Sequence, residues 1–219
     1  YISWKGMKTL MQSLSQKVYD QLLQRLLENG LVPGEILNRR EIARELGVSV
    51  APVLEAMLQL EMEGFLESIP RKGTQVRPIK ADDIMGRLVV REALECQAAR
   101  MYCGKPVKVH EEKLMKLAKE ADQSEVGSRQ NWETEIVFHR ALVELANCPV
   151  LTDEFDRVMK LNLFYAVNRL MPHHKESEMD KHEKLVEDLQ IEDPDQAEKI
   201  IRRHLRVGKG NIYHNDITY

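Results

Sequence analysis

Four side chains in the C-terminal half are of types that bind transition metals and are spaced so that they could share one site. Glu135 and His139 are four residues apart in a helical pattern, which places both side chains on one face, about 5–6 Å apart at Cβ. His182 is predicted near the middle of the next-to-last helix and His204 in the last. Antiparallel packing would bring three imidazoles and one carboxylate together. Such a set suits Zn²⁺, Ni²⁺, Mn²⁺ or Fe²⁺ and leaves positions open for water or an oxygen-donor ligand.

An antiparallel bundle of helices is predicted to position these four residues. Short breakers such as Cys148-Pro149 and Asp193-Pro194 separate the helical patterns, and strand signals are absent after Ile79. The predicted helices span residues 81–103, 108–124, 130–147, 150–171, 176–191 and 194–213. Helices of this length with short connections predict an all-helical domain over residues 79–219.

The first third of the chain follows a different plan, that of a winged helix-turn-helix over residues 9–78. Its predicted helices cover residues 14–28, 39–46 and a third that opens at Ser49 and ends before Gly64. The Ser49 hydroxyl is predicted to cap the third helix. Its predicted apolar face consists of Val53, Met57, Leu58 and Leu60. Strand candidates at residues 65–69 and 74–77 would form the wing. The fold class is therefore mainly α.

A helix-turn-helix places the first residues of its second helix against base edges, while nearby cations hold phosphates. The start of that helix and its supporting groups form the candidate DNA-binding set: Arg39, Arg40, Ser49, Val50, Ala51, Pro52, Arg71, Lys72, Gly73 and Thr74. Winged helices also serve as protein-interaction modules, which is the alternative interpretation of this domain.

Charge and cysteine content limit the partners and the cellular compartment that the sequence predicts. The 219 residues carry a formal net charge of −3, so no global positive field indicates nucleic-acid binding. Residues 1–80 contain 11 basic and 9 acidic residues, whereas residues 81–219 contain 21 and 26. The cations are local, and non-specific DNA affinity should be modest and salt-dependent. Three cysteines without a CxxC pair indicate a reducing cytoplasm, and no apolar stretch is long enough to predict a membrane partner.

The N-terminal block resembles the DNA-binding domain of the GntR family of bacterial transcription regulators. The matching stretches are residues 30–37, 40–49, 52–53, 55–56, 60–66 and 71–74. The resemblance implies DNA contacts from Arg40, the start of the recognition helix and the wing tip around Arg71 to Gly73.

The chain departs from the family at two positions, because most members carry arginine where Val50 and Leu54 stand. Bidentate guanine recognition from these positions is lost, although Val50 and Ala51 can still pack on thymine methyl groups. We expect specificity to depend on Arg39, Arg40 and the wing.

Residues 81–213 resemble the FCD effector domain that follows the winged helix in one large GntR branch. The matching segments are residues 90–95, 98–99, 138–142, 182–186, 193–197 and 203–205. The family's metal ligands, an aspartate and three histidines, fall on Glu135, His139, His182 and His204. Arg91 falls on an arginine that reaches toward the bound effector, often a small carboxylate. Its alternative role is a helix salt bridge with Glu95.

These observations predict a cytoplasmic, homodimeric, ligand-responsive transcription regulator rather than an enzyme. It would bind a palindromic double-stranded operator, and a small organic acid at the metal site would change its affinity for DNA. Two alternatives remain open at this point: a metal-dependent enzyme acting on a small acid, and a regulator whose metal is purely structural.

Overall fold

A computed structural model describes residues 13–125, 128–168 and 181–207 of the chain. These residues divide into two compact units. The first contains the described residues through Lys80, together with Leu163–Asn168, and the second contains the remainder.

Three helices and a small sheet make up the N-terminal part, as expected for a winged helix-turn-helix. The helices are α1 (Leu14–Leu27), α2 (Arg39–Leu46) and α3 (Val50–Met62), and the strands are β1 (Ile36–Leu37), β2 (Leu66–Ile69) and β3 (Gly73–Val76). The strands are antiparallel in the order β1-β3-β2. Strand β1 was not predicted, because two residues are too few to show alternation and its conformation depends on pairing with β3.

Local side chains explain where these helices begin. The Ser13 hydroxyl accepts from Gln16 N (3.1 Å), and the Asn38 side chain accepts from the first turn of α2. Ser49 occupies the position before α3, but its hydroxyl makes no capping hydrogen bond, so that prediction is wrong. A capping side chain binds the backbone N–H two or three residues on, and the second of these two groups is missing at Pro52, which leaves Ala51 N–H as the one possible partner.

Helix α3 packs on α1 through one apolar face. The buried residues of this face are Val53, Ala56, Met57 and Leu60. Leu58, which was predicted to share it, is 49% exposed. At about 3.6 residues per turn, a residue five positions after Val53 points well away from it, which explains the error.

Seven helices are described in the C-terminal part, one more than predicted. They are α4 (Ala81–Tyr102), α5 (Lys105–Val109), α6 (Glu111–Asp122), α7 (Arg129–Glu144), α8 (Pro149–Val167), α9 (His182–Asp188) and α10 (Pro194–Val207). The additional helix, α5, contains the predicted breaker Pro106 in its first turn, where a missing N–H costs little. The predicted helical segments 169–171, 176–180 and 208–213 lie outside the described residues.

Five helices of the C-terminal part, α4, α6, α7, α9 and α10, pack against one another in pairs. Helix α10 packs along α4, α7 packs against both α4 and α6, and α6 also packs against α9. Gly104 lets the segment after α9 approach closely, since its N–H donates to Leu189 O (3.0 Å) and its φ is +73°. A Cβ at this position would lie 2.8 Å from Glu192 Cγ. None of the helices in the described ranges is long and apolar enough to cross a membrane.

Candidate metal centre and DNA-binding surface

Three histidines from three helices converge in the C-terminal part. His139 lies on α7, His182 begins α9, and His204 lies on α10. The ring centroids are separated by 5.5 Å (His139–His182), 5.3 Å (His139–His204) and 4.9 Å (His182–His204). One ring nitrogen of each lies within 4.8 Å of the others. The structure therefore brings together the three predicted imidazoles, which we call the histidine cluster.

Glu135, the fourth predicted ligand, borders this cluster from the turn of α7 that precedes His139. Its Oε1 lies 3.1 Å from His182 Nε2, and its Oε2 lies 3.9 Å from His139 Nε2. Burial opposes ionisation of this carboxyl group, but the charge of His182 outweighs it and holds its pKa below the usual range. Although glutamate is one methylene longer than the aspartate of the family, Glu135 thus still places an ionised oxygen beside two imidazoles.

A carboxylate from another helix fixes each of the two buried imidazoles. Glu95 Oε2 on α4 lies 2.6 Å from His139 Nδ1, and Asp122 Oδ1 on α6 lies 2.6 Å from His182 Nδ1. Asp122 also accepts the backbone N–H groups of His182 (2.9 Å) and Glu183 (3.2 Å). Histidines that ligate metals usually donate their other ring N–H to such a carboxylate.

The Asp122 contacts also explain where α9 starts. Because this carboxylate binds the first backbone N–H groups of the helix, α9 begins at His182. The prediction that His182 lies mid-helix is therefore wrong.

The other ring nitrogen of each buried imidazole, Nε2 of His139 and of His182, is the one available to a metal. Both atoms are fully buried: among the described residues no hydrogen bond satisfies His139 Nε2, and the group that approaches His182 Nε2 is Glu135 Oε1, at 3.1 Å. A buried unsatisfied nitrogen costs about 1–3 kcal/mol, so its presence needs an explanation. Two such nitrogens, grouped with a third imidazole within 4.8 Å and beside a carboxylate, fit the ligand set of a divalent transition metal.

The electrostatics of the centre favour a divalent cation. Burial lowers the pKa of His139 and of His204, so both imidazoles are neutral, as metal ligation requires. At His182 burial also opposes the charged form, but Glu135 and Asp122 outweigh it and raise its pKa to about 10. His182 is therefore protonated in the metal-free centre, and a bound metal would take the place of that proton. Without that proton, the carboxylates of Glu95, Asp122 and Glu135 and the guanidinium of Arg91 leave two net negative charges, which a divalent ion would balance.

Arg91 is almost entirely buried on α4, and its Nε donates to Glu95 Oε1 at 2.6 Å. The salt bridge with Glu95, which is the alternative role predicted for Arg91, is therefore present. Since Glu95 also binds His139, Arg91 is linked through one carboxylate to the histidine cluster. Burial disfavours an ionised Glu95, but His139 and Arg91 outweigh it and keep its pKa below the usual range.

Sequence reasoning missed two supporting residues of this centre. Asp122 lies 60 positions before His182, and Glu95 lies 44 before His139, so no local spacing reveals either contact. The only available signal was that both acidic residues stand on helices predicted for the same bundle.

The predicted DNA-contacting residues lie on α2, at the start of α3 and at the tip of the β2–β3 wing. Nine of the ten are at least partly exposed: Arg39, Arg40, Ser49, Val50, Ala51, Pro52, Arg71, Lys72 and Gly73. Thr74 differs, because it is 3% exposed and its Oγ1 accepts from Arg39 Nη2 (3.4 Å). Its side chain is therefore placed to orient Arg39, and its contact with DNA stays a prediction.

The wing tip has a backbone conformation of its own. Arg71 has φ +66° and Gly73 has φ +105°, and Lys72 N donates to Ile69 O (3.1 Å) to close the turn. A positive φ is uncommon for a residue with a Cβ, so Arg71 is held in a conformation that glycine adopts more easily.

Comparison with known proteins agrees with the fold. The family model for "Bacterial regulatory proteins, gntR family" matches residues 14–76, and the model for the FCD domain matches residues 87–207. The chain is 27% identical to the uncharacterized HTH-type transcriptional regulator YdhC of Bacillus subtilis, over 85% of each chain. It is 25% identical to the HTH-type transcriptional repressor RspR of Escherichia coli, over 89% of this chain and 87% of that one.

A solved structure shares the fold. A chain from Rhodococcus sp. RHA1, described as a GntR transcriptional regulator, superposes with a TM-score of 0.71 at 20% identity, covering 94% of this chain and 100% of that one. These relatives are transcriptional regulators and not enzymes, in agreement with the expectation from the sequence. The chain belongs to the FCD branch of the GntR family of bacterial regulatory proteins.

Proposed function

We propose that this transcription regulator binds a palindromic operator as a homodimer in the cytoplasm, and that a small organic acid at a metal centre controls its affinity for DNA. The observation that carries the second half is the grouping of two buried Nε2 atoms: that of His139, which no hydrogen bond satisfies, and that of His182, which contacts the Glu135 carboxylate at 3.1 Å. Glu135 and His204 complete the set of donors around them.

The ligand set would be Glu135, His139, His182 and His204, with Glu95 and Asp122 holding the rings of His139 and His182 in place. A divalent metal bound there supplies a Lewis-acidic position for an oxygen of the effector. Arg91 supports a carboxylate ligand, since its planar guanidinium can pair with two oxygens and is held in the same network by Glu95.

DNA binding would use the exposed start of α3 together with Arg40 and the wing cations Arg71 and Lys72. A ligand changes this affinity only if it binds more tightly to one of two protein states, the one with higher or the one with lower affinity for DNA. The proposal therefore requires that acid and DNA binding be coupled through the bound metal.

The coupling can be measured by fluorescence anisotropy on an operator selected from random duplex DNA with the purified protein. Acetate, lactate and malonate serve as probes, each added to metal-loaded protein, to chelator-stripped protein and to the His139→Ala variant. We expect at least one acid to change the Kd for DNA about fivefold or more in the loaded protein only, the range of ordinary allosteric coupling.

A matched control is Glu120→Gln, which changes an exposed acidic residue on α6 and should respond like the wild type. An equal change in loaded and stripped protein would contradict the proposal and favour a purely structural metal. Sedimentation of the same samples tests the homodimer, and a monomer on a palindromic operator would contradict that part.

A further inference from the structure

The exposed face of helix α3 is apolar, which is unusual for a surface that faces DNA. The thirteen residues of α3 include no lysine, arginine or histidine, and the only charged side chains of the helix are Glu55 and Glu61. Four large apolar side chains, each four positions after the previous one, are exposed by 42%, 36%, 49% and 83%: Val50, Leu54, Leu58 and Met62. Residues four apart share one helix face, so these side chains form a continuous stripe.

This stripe is not part of the core. The face of α3 that includes Val53 and Met57 is buried against α1, and the exposed stripe borders this face at Val50 and turns away from it toward Met62. The cations near α3 in the chain stand on other elements, with Arg40 on α2 and Arg71 and Lys72 on the wing. A face with apolar side chains and cations on the adjoining elements complements a DNA major groove, where phosphates flank the base edges.

The apolar side chains restrict what α3 can recognise there. Guanine is recognised through hydrogen bonds to O6 and N7, and Val50 and Leu54 have no donors for them. Thymine presents its C5 methyl group in the major groove, and apolar side chains contact it favourably. Both residues lie in the first half of α3, the end that reads bases in a helix-turn-helix.

We propose that Val50 and Leu54 recognise thymine methyl groups, so that the operator half-site carries thymine opposite α3. This inference rests on the proposed DNA-binding function. Four residues of helix advance about 6 Å, close to two base-pair steps of about 3.4 Å each. The two side chains therefore select thymines one or two steps apart. Leu58 lies about one further turn from the reading end and makes no such contact.

The test removes the methyl group alone. A half-site selected from random duplex DNA with the wild-type protein is resynthesised with deoxyuridine in place of each thymine in turn. Base pairing is kept while only the C5 methyl is lost. At one or two positions per half-site we expect binding to weaken about three- to fourfold, the loss that burial of one methyl-sized group corresponds to.

Protein variants assign each methyl to its side chain. In Val50→Ala or Leu54→Ala, the penalty for deoxyuridine at the matching position should shrink to less than twofold, because the partner of the methyl is gone. Two matched controls make the same substitutions away from the proposed contacts. Val32→Ala changes a valine that is 45% exposed and lies before α2, and Leu58→Ala changes a leucine on the same stripe. Both controls should keep the full penalty.

The outcomes separate this inference from the function on which it rests. If deoxyuridine is tolerated at every thymine, or if the selected half-sites place guanine opposite α3, the inference is overturned while DNA binding stands. If the selection enriches no sequence at all, the DNA-binding proposal itself fails.

Discussion

Each buried imidazole of the metal centre is fixed at Nδ1 by a carboxylate, which leaves Nε2 facing the other ligands. At His182 this carboxylate is Asp122, which binds the ring and two backbone N–H groups at the start of α9. Burial of Asp122 opposes its ionisation, but these hydrogen bonds outweigh it and lower its pKa. One side chain thus sets both the beginning of the helix and the direction of the ligand.

Asp122→Asn tests this dual role. The amide replaces one accepting oxygen with a donor and removes the negative charge, so the ring of His182 is no longer held in one orientation. We expect metal affinity, measured by competition with a chromophoric chelator, to fall about 10- to 100-fold, as for other supporting carboxylates. Glu120→Gln on the same helix is the control. Unchanged affinity in a folded Asp122→Asn protein would show that the carboxylate does not position the ligand.

At the scale of secondary-structure elements, two glycines occupy contrasting positions, one in a turn and one inside a helix. Gly104 lies between α4 and α5 at φ +73°, where the segment after α9 leaves no room for a Cβ. Gly86, in contrast, lies within α4 on an exposed surface, and a Cβ there would meet nothing within 4 Å.

These two glycines should respond oppositely to the same substitution. Gly104→Ala combines a disfavoured φ with a clash against Glu192 and should lower the free energy of unfolding by roughly 2 kcal/mol or more. Gly86→Ala should raise it by about 0.5–1 kcal/mol, because alanine favours a helix interior. Urea unfolding followed by circular dichroism measures both, and equal effects would contradict the packing described at Gly104.

Substitutions of Arg71 in the wing turn can distinguish the effect of backbone strain on stability from the effect of a lost cation on DNA binding. Arg71→Gly should leave the thermal midpoint unchanged or higher, because glycine adopts φ +66° without a steric penalty. The same change should weaken operator binding through loss of the cation, and Arg71→Ala should weaken it equally. A stability loss in Arg71→Gly, or unchanged DNA affinity in both variants, would refute this assignment of roles.

A feature of the structure could be predicted from the sequence when the residues that cause it are close together in the chain. The bounds of α2 could be predicted because Asn38 caps its start and Gly47, at φ +64°, ends it. The Glu135–His139 pair followed from helix geometry alone. His182 and His204 were added to this pair on the assumption of antiparallel packing, and the family resemblance strengthened that prediction, because only the packing of α6, α7, α9 and α10 brings them together. The Asp122 contact and β1 depend wholly on tertiary structure and were missed.

At the scale of the whole molecule, a slightly basic N-terminal part is joined to an acidic helical part. The few exposed cations of the DNA-binding surface must therefore supply the electrostatic attraction, and each should contribute visibly to the salt dependence of binding. Arg40 is exposed on α2 and is the cation that the family resemblance places on DNA.

Arg40→Ala should weaken operator binding at every salt concentration and reduce the slope of log K against log salt by about one, as expected for one lost phosphate contact. Lys17→Ala, which removes an exposed cation from α1, is the control and should change neither quantity. Anisotropy titrations from low to moderate salt provide the measurement. An unchanged affinity in Arg40→Ala would contradict the proposed DNA-binding surface.

The presence of a metal in the histidine cluster is the claim on which the regulatory account depends most. Anomalous diffraction from crystals of protein purified without chelator, collected at the absorption edges of zinc, nickel, manganese and iron, tests it directly. The account predicts one strong peak per chain, about 2.0–2.2 Å from Nε2 of His139 and His182 and from donors of His204 and Glu135. A map with no anomalous peak at these four side chains would contradict it.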